Sequence, residues 1–113
     1  RRSTLLANDA EGDAMTNPVD LQQSAALLDQ AWRSKLVARI GDANLRLLRM
    51  DAQPYPAEMH AYAEGLLVLD GELRLDVAGQ AVTVGAGGFY LVPAGVTHAV
   101  APGSPGTLLI LDV

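Results

Sequence analysis

Two histidines occur in the 113 residues, His60 and His98. The first sits in Glu58-Met59-His60-Ala61-Tyr62-Ala63-Glu64. Imidazoles and carboxylates are the side chains that hold divalent ions or move protons near neutral pH. Side chains alternate along a strand, so Glu58 and His60 would share one face. Tyr62 and Glu64 would share it too if the strand ran straight. A turn after His60 would instead place Glu64 on the next strand. Either path lets these polar groups converge.

The elements that must position them read as one short helix followed by strands. Asp20 can cap a helix, with Gln23 as its reciprocal partner. Leu21, Ala25, Leu28 and Trp32 then fall on one helical stripe, which predicts a helix from Leu21 to about Ala31. After it the period changes to two. Strands are expected over Lys35–Ile40, Asn44–Met50, Gly65–Leu69, Glu72–Val77, Ala81–Val84, Phe89–Val92, Thr97–Val100 and Leu108–Leu111. Gly41-Asp42 is a turn signal. Asp70-Gly71 is the strongest short hairpin signal in the chain, and Gly71 is expected to serve that hairpin. Ala78-Gly79-Gln80, the Gly85–Gly88 run and the stretch from Pro102 to Gly106 punctuate the rest. Many short strands with Gly/Pro breaks indicate an all-β sandwich or small barrel.

The segment EMHAYAEGLLVLDG, Glu58 to Gly71, resembles the first motif of the cupin superfamily. His60, Glu64 and Gly71 match its second His, its Glu and its Gly. The segment GGFYLVPAGVTH resembles the second motif, with Gly87, Pro93, Gly95 and His98 in register. The resemblance implies a small single-domain cupin of the cupin 2 type. Its fold would be an antiparallel double-stranded β-helix, a jelly-roll barrel, here with a short N-terminal helix. It implies a metal inside, with His60, Glu64 and His98 at ligand positions. Two departures stand out. Glu58 occupies the first His position, and Pro102 stands where the second motif ends in Asn.

Two imidazoles and one carboxylate suit Fe(II) with open positions. Adding Glu58 makes a second carboxylate, and two carboxylates in an apolar barrel repel each other and resist desolvation. A divalent cation makes both anions favourable. Without one, one of them should keep its proton near neutral pH. Fe, Mn, Zn and Ni all remain candidates for the ion. Glu58 is either a fourth ligand, a general base, a substrate contact or a rim carboxylate. A histidine on a strand is otherwise a surface or hydrogen-bonded residue. Tyr62 and Tyr90 are packing residues or, facing the cavity, proton donors. Arg46 and Arg49 lie on opposite faces of one strand, so at most one points inward. An inward arginine implies a carboxylate or phosphate on the ligand. Pro93 and Gly95 turn the chain so that His98 enters from the adjacent strand. Trp32 staples the helix to the sheet or to a partner. The strand Leu108–Leu111 is apolar on both faces, so it is central in a sheet or covered by a second copy. Small cupins commonly pair, and the resemblance therefore implies a homodimer.

The overall balance narrows the function classes. Eight Lys and Arg against thirteen Asp and Glu give a net charge of −5, where phosphate backbones require a basic face. Nucleic acid is therefore an unexpected partner. No apolar run reaches the ~20 residues of a membrane span, and no cysteine is present. Residues 1–14 are polar and aperiodic and read as a disordered or non-native arm before a single domain over 15–113. Arg1-Arg2 precedes no apolar stretch, and with no address a cytoplasmic location is the default. The expected function is a metal-dependent enzyme acting on a small organic molecule, an oxygenase or an isomerase/lyase. The alternative is a non-catalytic module binding a sugar or sugar acid. A degenerate barrel kept for subunit contacts is a third possibility.

Overall fold

A computed structural model describes residues 17–113, so the expected arm over residues 1–14 lies outside the described residues. Among the described residues one helix, α1 (Leu21–Ala26), precedes eight strands. These are β1 (Lys35–Ile40), β2 (Ala43–Met50), β3 (Tyr55–Glu58), β4 (Glu64–Val77), β5 (Gln80–Gly85), β6 (Phe89–Val92), β7 (His98–Val100) and β8 (Gly106–Asp112). All pairings are antiparallel. No helix among the described residues is long and apolar enough to cross a membrane.

The strands form two sheets joined by one long strand. β4 starts in a sheet ordered β1-β2-β8-β4-β6 and ends in one ordered β3-β7-β4-β5. This corrects the expected hairpin at Asp70-Gly71, where the strand does not reverse. Gly71 lies at the passage between the sheets with φ +80, opposite Gly106. The β4–β8 register shifts between Val68 and Asp70. A Cβ on Gly71 would collide with the Pro105 carbonyl oxygen, and one on Gly106 with that of Asp70. A left-handed glycine at an irregular register is the signature of a bulge, which bends a strand without ending it. The reversal comes later, at Ala78-Gly79. Both have positive φ and link the paired Val77 and Gln80, as a two-residue primed turn requires.

Alternation sorts the core into two clusters. Leu48 and Met50 of β2, Leu66 and Val68 of β4, and Leu108 of β8 belong to the inner one. Leu73, Leu75 and Val77 join it from beyond the bulge. The inner positions of β4 therefore change from even to odd numbers, as one inserted residue dictates. Leu47 and Leu109 lie on the outer face, packed with Ala25 of α1. So β8, apolar on both faces, is central between β2 and β4, with its outer side against the helix.

The helix begins as expected, with Asp20 Oδ1 accepting the Gln23 N–H at 3.0 Å. It stops at Ala26, five residues short of the expected end. The guanidinium of Arg49 donates to the carbonyls of Leu28 and Asp29. Trp32 has φ +66, its N–H donates to the Arg49 carbonyl at 2.8 Å, and its indole N–H donates to Asp51 at 2.8 Å. A helix through this stretch would lose all of these bonds. Trp32 thus fastens the strap after α1 to the end of β2 and packs on the inner cluster.

Candidate metal centre

The chain leaves β3 at Glu58 and re-enters a strand at Glu64. His60 therefore sits in the connection, and of the two expected paths the structure takes the one with a turn. Glu64 opens the next strand. The carbonyl of His60 accepts the Gly95 N–H at 2.8 Å. Gly95 has φ +78 within the turn after Pro93, where only glycine is relaxed. That bond ties the loop carrying His60 to the turn that precedes His98. His98, the first residue of β7, pairs with Glu58 on one side and Val77 on the other.

Four side chains meet here. Glu58 Oε1 lies 3.0 Å from Nε2 of His60, and Glu64 Oε2 lies 3.9 Å from it. Glu64 Oε1 is 3.3 Å from Nε2 of His98. One ligand atom from each of Glu58, His60 and His98 falls within 4.8 Å of the others. Ligands about 2.1 Å from one ion stand roughly 3–4 Å apart, so a small contraction would let these atoms share it. His98 is buried, and its Nδ1 lies 3.0 Å from the Val96 carbonyl. A carbonyl only accepts, so Nδ1 carries the hydrogen. In the neutral ring the Nε2 lone pair then faces the cavity, as in second-sphere support of metal ligands.

The nitrogen of His60 tests whether the site fits an ion. Its Nε2 is buried and makes no hydrogen bond among the described residues. The 3.0 Å approach of Glu58 is short but misdirected, and a misaligned contact is not a hydrogen bond. A buried polar atom left in this way costs about 1–3 kcal/mol. A divalent cation among two imidazoles and two carboxylates would use that lone pair and neutralise the acids, so the residues fit the group.

The electrostatics agree. Burial pushes the pKa of Glu64 up from the ordinary value near 4.5. The two imidazoles oppose that rise, the charge of Glu58 adds to it, and the hydrogen bond with His98 also opposes it. The direction is that of a carboxyl partly withdrawn from water beside a second carboxylate.

The centre opens into a cavity of about 280 Å³. Apolar walls come from Leu48, Leu66, Leu73, Leu75 and Leu108. Tyr62 also lines it, 37% exposed, with its ring stacked on His60 at 4.9 Å between centroids. Tyr90 does not line it. It stands opposite Leu66 and packs half-buried against the inner cluster, a residue of the core rather than of the cavity. Of the two arginines, Arg46 points inward and Arg49 is engaged with the strap. Reading the sequence alone missed Asp112, Tyr55 and the cavity role of Trp32. Asp112 shares strand parity with the inward Leu108 and Ile110, which was a usable signal. Trp32 gave none, because its backbone leaves the helical path.

Fold and residue pattern together define a barrel of the cupin class with a candidate metal site. The chain belongs to the cupin family: residues 48–113 match its Cupin domain. No curated protein matches the chain. Among solved structures, a cupin-2 domain protein from Shewanella frigidimarina is similar, with TM-score 0.77 and 23% identity over 86% of this chain and 95% of that one. A hydroquinone 1,2-dioxygenase from Sphingomonas sp. TTNP3, solved with 4-hydroxybenzoate bound, has TM-score 0.73 and 12% identity over 82% of this chain and 71% of that one. A hydroquinone 1,2-dioxygenase in complex with Fe3+ has TM-score 0.70 and 16% identity, covering 77% of this chain but 29% of its own. At these identities the likeness is one of fold.

Proposed function

We propose that this cupin is a metal-dependent enzyme acting on a small organic molecule, by oxygenase or isomerase/lyase chemistry. The observation that carries the reading is the bare, buried Nε2 of His60, which faces His98 and two carboxylates at the end of a cavity. His60, Glu64 and His98 would hold the ion, a two-His, one-carboxylate set compatible with Fe, Mn, Zn or Ni. When bound, the ion supplies Lewis acidity and open positions facing the cavity. Glu58, with its side chain 36% exposed, is a fourth ligand or the base that takes a proton at Oε1. Tyr62, stacked on His60 and 37% exposed, would return one from its hydroxyl. The leucine walls give the cavity an apolar side for the carbon frame of the molecule. The dioxygenases that share the fold support the oxygenase branch, and the donor set supports both.

Elemental analysis of protein purified without chelator tests the reading. Close to one ion per chain is expected, and melting should rise on adding Fe(II), Mn(II), Ni(II) or Zn(II). Substoichiometric metal with unchanged melting would sink it. A loaded protein that binds ligands yet converts none of them would be the non-catalytic binding module instead.

A further inference from the structure

On the cavity wall contributed by β2 and β8, Arg46 forms an ion pair with Asp112 at 3.2 Å. Asp112 is the buried partner, its side chain 9% exposed, and it also accepts from Asn44 Nδ2 at 3.0 Å. Arg46 reaches it through Nε. Its two terminal amino groups make no hydrogen bond among the described residues, and its side chain is 37% exposed along the cavity. Five N–H donors in a planar fork suit carboxylate recognition. Here one edge is held in place by Asp112, and the remaining donors are oriented but unused.

We infer that Arg46, held by Asp112 and Asn44, is the anchor for a carboxylate on the small molecule that the metal centre acts on. The inference rests on the metal reading, because of the charges that line the cavity. Glu58, Glu64 and Asp112, when ionised, set three negative charges against the one of Arg46. The remaining two negative charges repel an anion, and a divalent ion cancels them. The carboxylate therefore binds the metal-loaded cavity and not the metal-free one. By linkage it also tightens metal binding by the same factor. Size limits the rest of the ligand. A cavity near 150 Å³ holds benzene, so about 280 Å³ takes one ring-sized body and its carboxylate. A single guanidinium edge among three acids suits a monoanion better than a phosphate dianion.

Trp32 is the only tryptophan and lines this cavity, so its emission reports occupancy. The test titrates benzoate, its uncharged isostere benzamide, and phenyl phosphate into the Zn(II)-loaded protein. Zinc uptake is measured first and separately. The wild type should bind benzoate about tenfold or more tighter than benzamide, the effect of one charge-assisted pair. Arg46→Gln alone would strand buried Asp112, so the variant used is Arg46→Gln with Asp112→Asn. It should take up zinc normally and lose the preference, and Arg46→Lys should keep part of it. The same preference in the double variant would show that the ion alone holds the carboxylate and would overturn the anchor. So would equal affinity of the wild type for acid and amide, or tighter binding of phenyl phosphate. Failure of the wild type to take up zinc would instead overturn the metal reading, and this inference with it.

Discussion

Glu58 stands directly opposite His98 in the β3–β7 ladder. Cross-strand partners hold their Cβ atoms about 5 Å apart, so the carboxylate reaches the centre from a neighbouring strand rather than from the loop. The position that resembles the first histidine of the motif is thus occupied by a group with ligand reach. Glu58→Gln removes the anion but keeps the shape. It should lower metal affinity at least about tenfold, read by competition with a chelator. Glu58→His should retain the ion. Unchanged affinity in Glu58→Gln would leave Glu58 as a base or substrate contact.

His98 is the most buried of the donors, its orientation set by the Val96 carbonyl. His98→Ala should abolish metal retention while circular dichroism shows the strands intact. The cost to stability should stay near 1–3 kcal/mol, since one carbonyl loses its donor. Normal retention would remove His98 from the ligand set.

Glu64 makes the centre sensitive to pH, and its raised pKa gives the sign. A carboxyl whose folded pKa exceeds its unfolded value binds its proton more tightly when folded. Its contribution to stability is whole below the unfolded value, near 4.5, and is lost as pH rises through the folded one. Metal-free wild type should therefore lose stability relative to Glu64→Gln as pH climbs above 4.5. Metal binding must expel that proton, so metal affinity should rise over the same window. Parallel melting-versus-pH curves for the two proteins would refute the assignment.

How much was legible follows from which signals are local. Strand alternation and the two motif spacings are local, and they placed His60, Glu64 and His98 in one region. The two apolar faces of β8 left two covers open, a sheet centre or a second copy, and the structure has it at the centre. The path of the chain after α1 was not. Trp32 keeps helical spacing in sequence, but its backbone is set by Arg49 and Asp51, nineteen residues away for the indole bond. Tyr90 shows the limit of parity. It packs against the inner cluster, yet it does not line the cavity as its cross-strand partner Leu66 does. The bulge in β4 was not legible, because Gly65–Leu69 is a continuous apolar run that shows no parity before Leu73, and Asp70-Gly71 reads as a hairpin. Only the close approach of Pro105 and Gly106 decides between them.

That approach yields a prediction which separates two kinds of glycine. Gly71 and Gly79 both have left-handed backbones, with φ +80 and +86. Alanine at Gly79 meets nothing within 4 Å, so it should cost only the conformational penalty, roughly 1–2 kcal/mol. Alanine at Gly71 adds a collision with the Pro105 carbonyl, a backbone atom that cannot swing away. Gly71→Ala should therefore cost more than Gly79→Ala, about 3 kcal/mol or more in denaturant unfolding. It should also weaken metal binding in the folded fraction, because β4 carries Glu64 on one side of the bulge and the partner of His98, Val77, on the other. Equal costs for the two substitutions would mean that β4 and β8 separate easily at the passage between the sheets, and that Gly71 serves only its own backbone angle.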